Sequence, residues 1–280
     1  MEYGDKHILV LGAGASGIGA SWVLAQVGAH VVLNDYKPVT LPADEEKRLV
    51  SAGVDIITGR QDESLLDGVD RIVISPGISL DIPIVKAAQA RGIDVVSEVE
   101  VAYELSKSPI VAVTGTNGKT TTTTLLTKVL EGTGKPVRVG GNIGDSLSEV
   151  AYSMPADGFL VAELSSYQLE TIKHFRPIGA IMLNITPDHL ARHKTMENYI
   201  AAKERIFENQ LSTDFIVLNI DDPIVADMKH RAPSHILEIS QHQVVSNGAY
   251  YDKGQCYVTK NGIATPVIGS ADIHIPGSHN

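Results

Sequence analysis

Apolar, β-branched runs punctuate the chain from His7 to Ser97. HILVLG, HVVLND, VDIIT, DRIVIS and IDVVS alternate with helical stretches such as DEEKRLVSAG and IPIVKAAQARG. That alternation predicts parallel strands joined by crossover helices. A helical segment, EVEVAYELSKS, then leads to Pro109 and a second strand, which sets a domain boundary between about Ser97 and Ser108 and divides the chain into residues 1–98 and 99–280. The second series, PVRVGG, GFLVAEL, IGAIMLN, the helix TMENYIAAKERIFENQ, DFIVLNI and HILEIS, predicts another α/β sheet. After Gln241 short strands with Asn-Gly and Lys-Gly turns predict hairpins appended to that domain. The sequence stops at IPGSHN without a helix or a polar tail, and the expectation is a cut inside a larger protein, near the end of its second domain.

Composition narrows the class. A chain of 280 residues, 43% of them hydrophobic, is long enough to bury two cores. Its net charge of −10 disfavours nucleic acid and anionic membranes as partners, although a local basic pocket can still hold phosphate. The single cysteine, Cys256, reads as a small packed side chain rather than a nucleophile. The start, MEYGDKHILVLG, has no basic leader, and no apolar stretch approaches the ~20 residues of a membrane helix, so a cytoplasmic protein is expected.

Two stretches point to phosphate. Gly12-Ala13-Gly14-Ala15-Ser16-Gly17 follows a strand and opens a helix, so free backbone N–H groups and the helix dipole can face an anion. Asp35 ends the next strand at the spacing of a ribose contact. Taken alone, this pattern fits NAD binding or a tight turn with no ligand. The second stretch, PIVAVTGTNGKTTTTT, carries Gly115, Gly118, Lys119 and Thr120 in the order of a P-loop: a backbone cradle, a cation for the β/γ-phosphates and a hydroxyl for Mg2+. Val113 stands where a strict P-loop has its leading glycine. Two such loops imply a first domain that holds a phosphate-bearing substrate and a second that energises it. The expected fold class is α/β, a Rossmann-like N-terminal domain followed by a P-loop α/β ATPase domain with appended β-hairpins.

VAVTGTNGKTTTTTLL, GGNIG, AELSSYQLE, LNITPDHLARH, YIAAKERIF and the terminal GSHN occur in the order found in the Mur ligases, and the chain resembles that family over most of residues 109–280. GGNIG and ELSSYQLE, with the N-terminal GAGASG, ND and SPGI, resemble the member that adds D-glutamate to UDP-N-acetylmuramoyl-L-alanine. The resemblance implies an ATP-dependent, ADP-forming ligase of cytoplasmic peptidoglycan precursor synthesis that works through an acyl phosphate. It implies a monomer with small-molecule substrates and a third domain that brings D-glutamate, and without that domain no ligation is expected. The rivals are the L-alanine-adding Mur ligase, a folylpolyglutamate synthase, a dinucleotide-binding oxidoreductase and a nucleotide-binding module without catalysis.

Residue roles follow from the resemblance. Gly115, Thr116, Asn117, Gly118, Lys119, Thr120 and Thr121 would hold ATP, with Asn280 at the adenine-nucleotide end. Two Mg2+ ions are implied, one held by Thr120 and Glu163, the other by His189 and Lys203. Glu163 ends a strand-like run, where a carboxylate meets the ligand crevice of such a sheet. His189 lies in a turn marked by Pro187 and by itself reads equally as metal ligand or exposed histidine; His193 ranks below it. Asn142, Ser165 and Gln168 would contact the muramoyl-alanine portion. In the first domain Ala15 and Ser16 would meet the diphosphate, Asp35 to Lys37 would flank the uracil, and Ser75-Pro76-Gly77-Ile78 would form a second wall. The family often has Thr and Arg where this chain has Tyr36 and Lys37, and lysine lacks the planar fork of arginine.

Lys203 shares a helical face with Tyr199, Ile200, Ile206 and Phe207. On an apolar face desolvation favours the neutral amine, which can take up CO2. In the family the matching lysine is carbamylated. The alternative is a lysine whose stem packs and whose head reaches water or an acid.

Overall fold

A computed structural model describes residues 3–273 and contains two sheets connected by a helix. The first unit runs β1 (His7–Leu11), α1 (Ala15–Gln26), β2 (His30–Asp35), α2 (Ala43–Ser51), β3 (Asp55–Thr58), β4 (Arg71–Ile74), α3 (Pro83–Ala90) and β5 (Asp94–Ser97). Its strands lie in the order β3-β2-β1-β4-β5, every neighbour parallel. Alternate residues of the central strands divide between two cores: Ile8, Val10 and Val73 pack on one face, Leu9, Leu11, Ile72 and Ile74 on the other. Both faces are covered, so these strands are continuously apolar.

Helix α4 (Glu98–Leu105) belongs to both units, because Val101 enters one core of the first unit while Val99 and Ala102 enter the core of the second unit. Three of its carboxylates fasten it. Glu98 accepts from the Ser146 hydroxyl at 2.7 Å and the Ser148 N–H at 2.5 Å. Glu100, fully buried, accepts from the backbone N–H groups of Lys173, His174 and Phe175 at 2.7, 2.7 and 3.1 Å. On the side of the first unit, Glu104 pairs with buried Arg71 at 2.9 Å and takes the Tyr3 hydroxyl. Buried polar groups are retained where they find such partners, although the second oxygen of Glu98 has none.

The second unit continues with β6 (Ile110–Thr114), α5 (Lys119–Glu131), β7 (Val137–Gly141), α6 (Leu147–Ser153), β8 (Phe159–Glu163), α7 (Ser166–Leu169), β9 (Gly179–Met182), α8 (Leu190–His193) and α9 (Met196–Glu204). It closes with β10 (Phe215–Asn219), α10 (Pro223–Asp227), β11 (His235–Ser240), β12 (Gly248–Asp252), β13 (Gln255–Lys260) and β14 (Ile263–Gly269). The sheet order is β14-β13-β12-β11-β10-β9-β6-β8-β7.

The expected hairpins are present at the edge of this sheet and continue it: β12 pairs in parallel with β11, and the antiparallel β12-β13-β14 meander follows. Lys253-Gly254 and Asn261-Gly262 form its tight turns, with positive φ at all four residues. The helix containing Lys203 ends at Glu204 and tightens into a 3-10 turn, Arg205–Phe207. Among the described residues no helix is long and apolar enough to cross a membrane.

Candidate functional site

Both glycine-bearing loops leave central strands where the strand order reverses. The first follows β1, next to β4, and the second follows β6, between β8 and β9. Such crevices at the carboxyl ends of parallel strands are where α/β sheets take ligands.

In the second unit the segment after β9 shapes the P-loop. Asn184 pairs with the Asn117 backbone in both directions, accepting its N–H at 2.8 Å and donating to its carbonyl at 3.0 Å. Thr116 Oγ1 accepts the Thr186 N–H at 3.0 Å and lies 3.0 Å from the Tyr199 hydroxyl. Gly118 then opens α5 in a left-handed conformation, with Thr120 and Thr121 exposed in the first turn. Lys119 is folded onto its own loop, Nζ donating to the carbonyls of Gly115 and Thr116 at 3.1 and 2.9 Å.

Lys203 reaches the same loop from α9. It is 2% exposed, donates to the Gly115 carbonyl at 2.8 Å and lies over the Tyr199 ring. Burial foremost, then the Lys119 ammonium, lower its pKa to about 7, with Asp188 acting in the opposite sense.

Glu163 ends β8 next to the loop strand and is 1% exposed. One oxygen accepts from Asn142 Nδ2 at 2.9 Å; the other is buried with no hydrogen-bond partner. Gly141 permits this approach, because at φ 110° a Cβ there would lie 2.4 Å from the Glu163 carbonyl oxygen. His189 starts α8 with φ 52°, its ring half-exposed, 4.9 Å from Tyr167 and next to Asp188. His193 is buried instead, its Nε2 2.9 Å from the Ser166 hydroxyl and its Nδ1 3.4 Å from Glu170; burial foremost lowers its pKa, with Glu170 acting in the opposite sense.

Ser165 and Gln168 close a capping box at the start of α7. The buried Gln168 carbonyl oxygen accepts from both the N–H and the hydroxyl of Ser165 at 3.0 Å, so it faces its own helix rather than a ligand. Asn142 and Ser165 remain at the crevice edge, exposed and half-exposed.

In the first unit the glycines separate by purpose. A Cβ on Gly17 would stand 1.8 Å from the Gly12 carbonyl oxygen, whereas one on Gly14 would meet nothing within 4 Å. Gly17 is required by packing; Gly14 leaves open space above the start of α1, beside exposed Ala15 and half-exposed Ser16. Asp35 is occupied within the loop, accepting from the N–H groups of Ala13 and Lys37 at 3.0 Å each. The Ser75 hydroxyl donates to the Gly12 carbonyl at 3.2 Å, which ties the Ser75–Ile78 turn to the loop, and Gly77 is exposed. Lys37 is exposed as well.

A cleft of about 600 Å3 runs from Asn117 and Gly118 past Asn184 and Asp221 to Tyr250 and Cys256. Sequence reasoning missed Asn184 and the tyrosines of β12, since nothing local marks them. Asn280 lies outside the described residues.

The Mur ligase middle domain matches residues 113–280, and the N-terminal domain described as Mur ligase MurD-like matches residues 6–97. The chain is 45% identical over 280 residues to the UDP-N-acetylmuramoylalanine--D-glutamate ligase of Thermoanaerobacter sp. (strain X514), covering 100% of this chain and 62% of that protein. It is 42% identical over 279 residues to the protein of the same name from Halalkalibacterium halodurans, again covering all of this chain and 61% of the relative. The chain thus spans about 62% of the length of the curated relatives it matches. In fold it is similar to the crystal structure of a UDP-N-acetylmuramate:L-alanyl-gamma-D-glutamyl-meso-diaminopimelate ligase from Neisseria meningitides, with a TM-score of 0.64 at 20% identity over 98% of this chain and 89% of that one.

Proposed function

The chain belongs to the Mur ligase family, and from that premise we propose that it forms the substrate and ATP-binding parts of a ligase that joins D-glutamate to UDP-N-acetylmuramoyl-L-alanine. Residues 1–98 would take the UDP-substrate and residues 99–280 the ATP. The observation that carries this is Glu163, a buried carboxylate beside a P-loop with one oxygen unpaired. Such an oxygen suits a cation, and a dinucleotide-binding domain has no use for it. Asp35 also speaks against the NAD reading, because its carboxylate is engaged by its own loop.

The substrate carboxylate attacks the γ-phosphorus of ATP; a C–O–P linkage forms, the bond to the bridging oxygen breaks, and ADP leaves. The D-glutamate amine then attacks the acyl carbon, the amide forms, phosphate departs and the amine gives up a proton. Both steps bring anions together, so the residues that lower the barrier are those that offset negative charge. Lys119 exchanges its loop carbonyls for the β/γ-phosphate oxygens, while the first-turn amides of α5 face the same oxygens. Asn142 fixes the Glu163 carboxylate, and Ser165 lines the substrate side.

Glu163, Thr120, His189 and Lys203 would hold Mg2+, which when bound neutralises the phosphate oxygens. Among the described residues no three His, Cys, Asp or Glu side chains gather as a metal site. That suits a cation that draws much of its shell from phosphate and water. Lys203 fits the role as a carbamate: its amine, largely desolvated, adds to CO2 with loss of a proton and becomes an anion. The cleft between the P-loop and Tyr250 is open to the nucleoside.

The test is ADP release by the whole protein. Release that requires UDP-N-acetylmuramoyl-L-alanine and D-glutamate is expected. Stimulation by L-alanine in place of D-glutamate, or NADH binding where the UDP-substrate does not bind, would overturn the assignment.

A further inference from the structure

Arg192 crosses from one unit to the other. It stands in α8, three residues after His189, and its guanidinium is divided between two acceptors. Nη1 donates to the carbonyl of Pro76, in the turn after β4 of the first unit, at 2.5 Å. Nη2 donates to Glu170 Oε2 at 2.6 Å, and the guanidinium carbon lies 4.2 Å from the centre of the Tyr167 ring. The side chain is only 19% exposed, and Glu170 16%.

Each partner leads to one of the two ligand sites. Pro76 sits in the tight turn Ser75–Ile78, closed by the Ile78 N–H on the Ser75 carbonyl at 3.0 Å and tied on its far side to Gly12 of the first loop. Held between Gly12 and Arg192, this turn has little freedom to move by itself. On the other side, the Arg192 N–H donates to the His189 carbonyl at 3.0 Å, and the Tyr167 ring beneath the guanidinium also packs on His189 and His193. His189 has φ 52°, a conformation that a residue with a side chain keeps only when its surroundings hold it.

Resting on the function proposed above, we propose that Arg192 is a positioning residue that sets the distance between the UDP-substrate wall of the first unit and the phosphoryl-transfer site of the second. Arginine suits this place because its planar fork can serve a carbonyl and a carboxylate at once while its face stacks on an aromatic ring; lysine offers one compact donor group. Arg192 touches neither ligand in this role. Its loss leaves both pockets formed but out of register, and an error of about 1 Å in a reacting pair costs on the order of 100-fold in rate.

The experiment compares wild type, Arg192→Ala and Arg192→Lys in the whole protein. Separate titrations give the dissociation constants for UDP-N-acetylmuramoyl-L-alanine and for a non-hydrolysable ATP analogue, and D-glutamate-dependent ADP release gives kcat. Expected for Arg192→Ala are dissociation constants within about threefold of wild type and a kcat lower by roughly 100-fold. Arg192→Lys, which keeps the charge and supports folding if the alanine variant does not fold, is expected to lose about tenfold in kcat with binding intact. A kcat unchanged in both variants, or a loss in kcat matched by an equal loss of substrate binding, overturns the positioning role. A wild-type protein without D-glutamate-dependent release overturns the function itself, which distinguishes the two failures.

Discussion

Lys119 and Lys203, from different helices, donate to one carbonyl oxygen, that of Gly115, at 3.1 and 2.8 Å. Two amines on a single acceptor repel when both are protonated, and the Lys119 charge is one cause of the lowered pKa of Lys203. In the function proposed above, a Lys119 that turned to phosphate would leave this carbonyl to Lys203 and carry its own charge to the ligand.

Lys119→Ala is therefore expected to weaken ATP binding by about tenfold to a hundredfold, the range of a charged hydrogen-bonding group lost from a phosphate. UDP-substrate affinity should stay within about twofold, because the first loop lies in the other unit. Calorimetric titration of each ligand checks this; equal loss of both binding events would show that the loops are assigned to the wrong ligands.

Lys203→Ala removes the amine that would carry the carbamate. Activity should fall by about 100-fold or more and recover in part when short carboxylates are added, since formate or acetate can place an anion in the vacated space. An alanine variant as active as wild type with no carboxylate present would end the carbamate assignment.

Gly14 and Gly17 should respond oppositely to alanine. At Gly14 the new methyl enters open space, so stability is kept while the UDP-substrate binds about tenfold more weakly, because the backbone can no longer approach the diphosphate closely. At Gly17 the methyl overlaps the Gly12 carbonyl, and a loss of about 3 kcal/mol is expected in urea unfolding. Unchanged substrate affinity in Gly14→Ala would move the diphosphate elsewhere.

Glu98 provides the pH dependence. Burial raises its pKa above the ordinary 4.5, the Ser146 and Ser148 hydrogen bonds act against that, and nearby Glu149, itself paired with Arg48 at 2.6 Å, pushes it further up. With its folded pKa above the unfolded one, this residue's contribution to stability is present below about pH 4.5 and is lost as pH rises through the folded value. Glu98→Gln should remove that slope and gain on wild type between about pH 5 and 8, measured as the shift in urea midpoint. A variant weaker than wild type by the same amount at about pH 5 and at about pH 8 would show that Glu98 does not titrate differently on folding.

The sequence by itself determined what short-range rules govern. The continuous β-branched runs pointed to parallel strands with both faces covered, the glycine-lysine-threonine order marked the start of a helix at Lys119, and the spacing around Lys203 placed it on an apolar face, where the structure buries it. Ser165 and Gln168 carried their own signal, since Ser-x-x-Gln is the pattern of a capping box, and the inward turn of Gln168 was legible there. Only the tertiary structure decided the rest. Arg192 meets Pro76 across 116 positions, Asn184 meets Asn117 across 67, and Glu100 meets the 173–175 backbone across 73 to 75. The parallel pairing of β12 with β11 is likewise a choice of sheet edge rather than of local sequence. A polar side chain has several partners it can satisfy at similar energy; which one it meets depends on where the packing of two cores brings the backbone, and no local pattern records that.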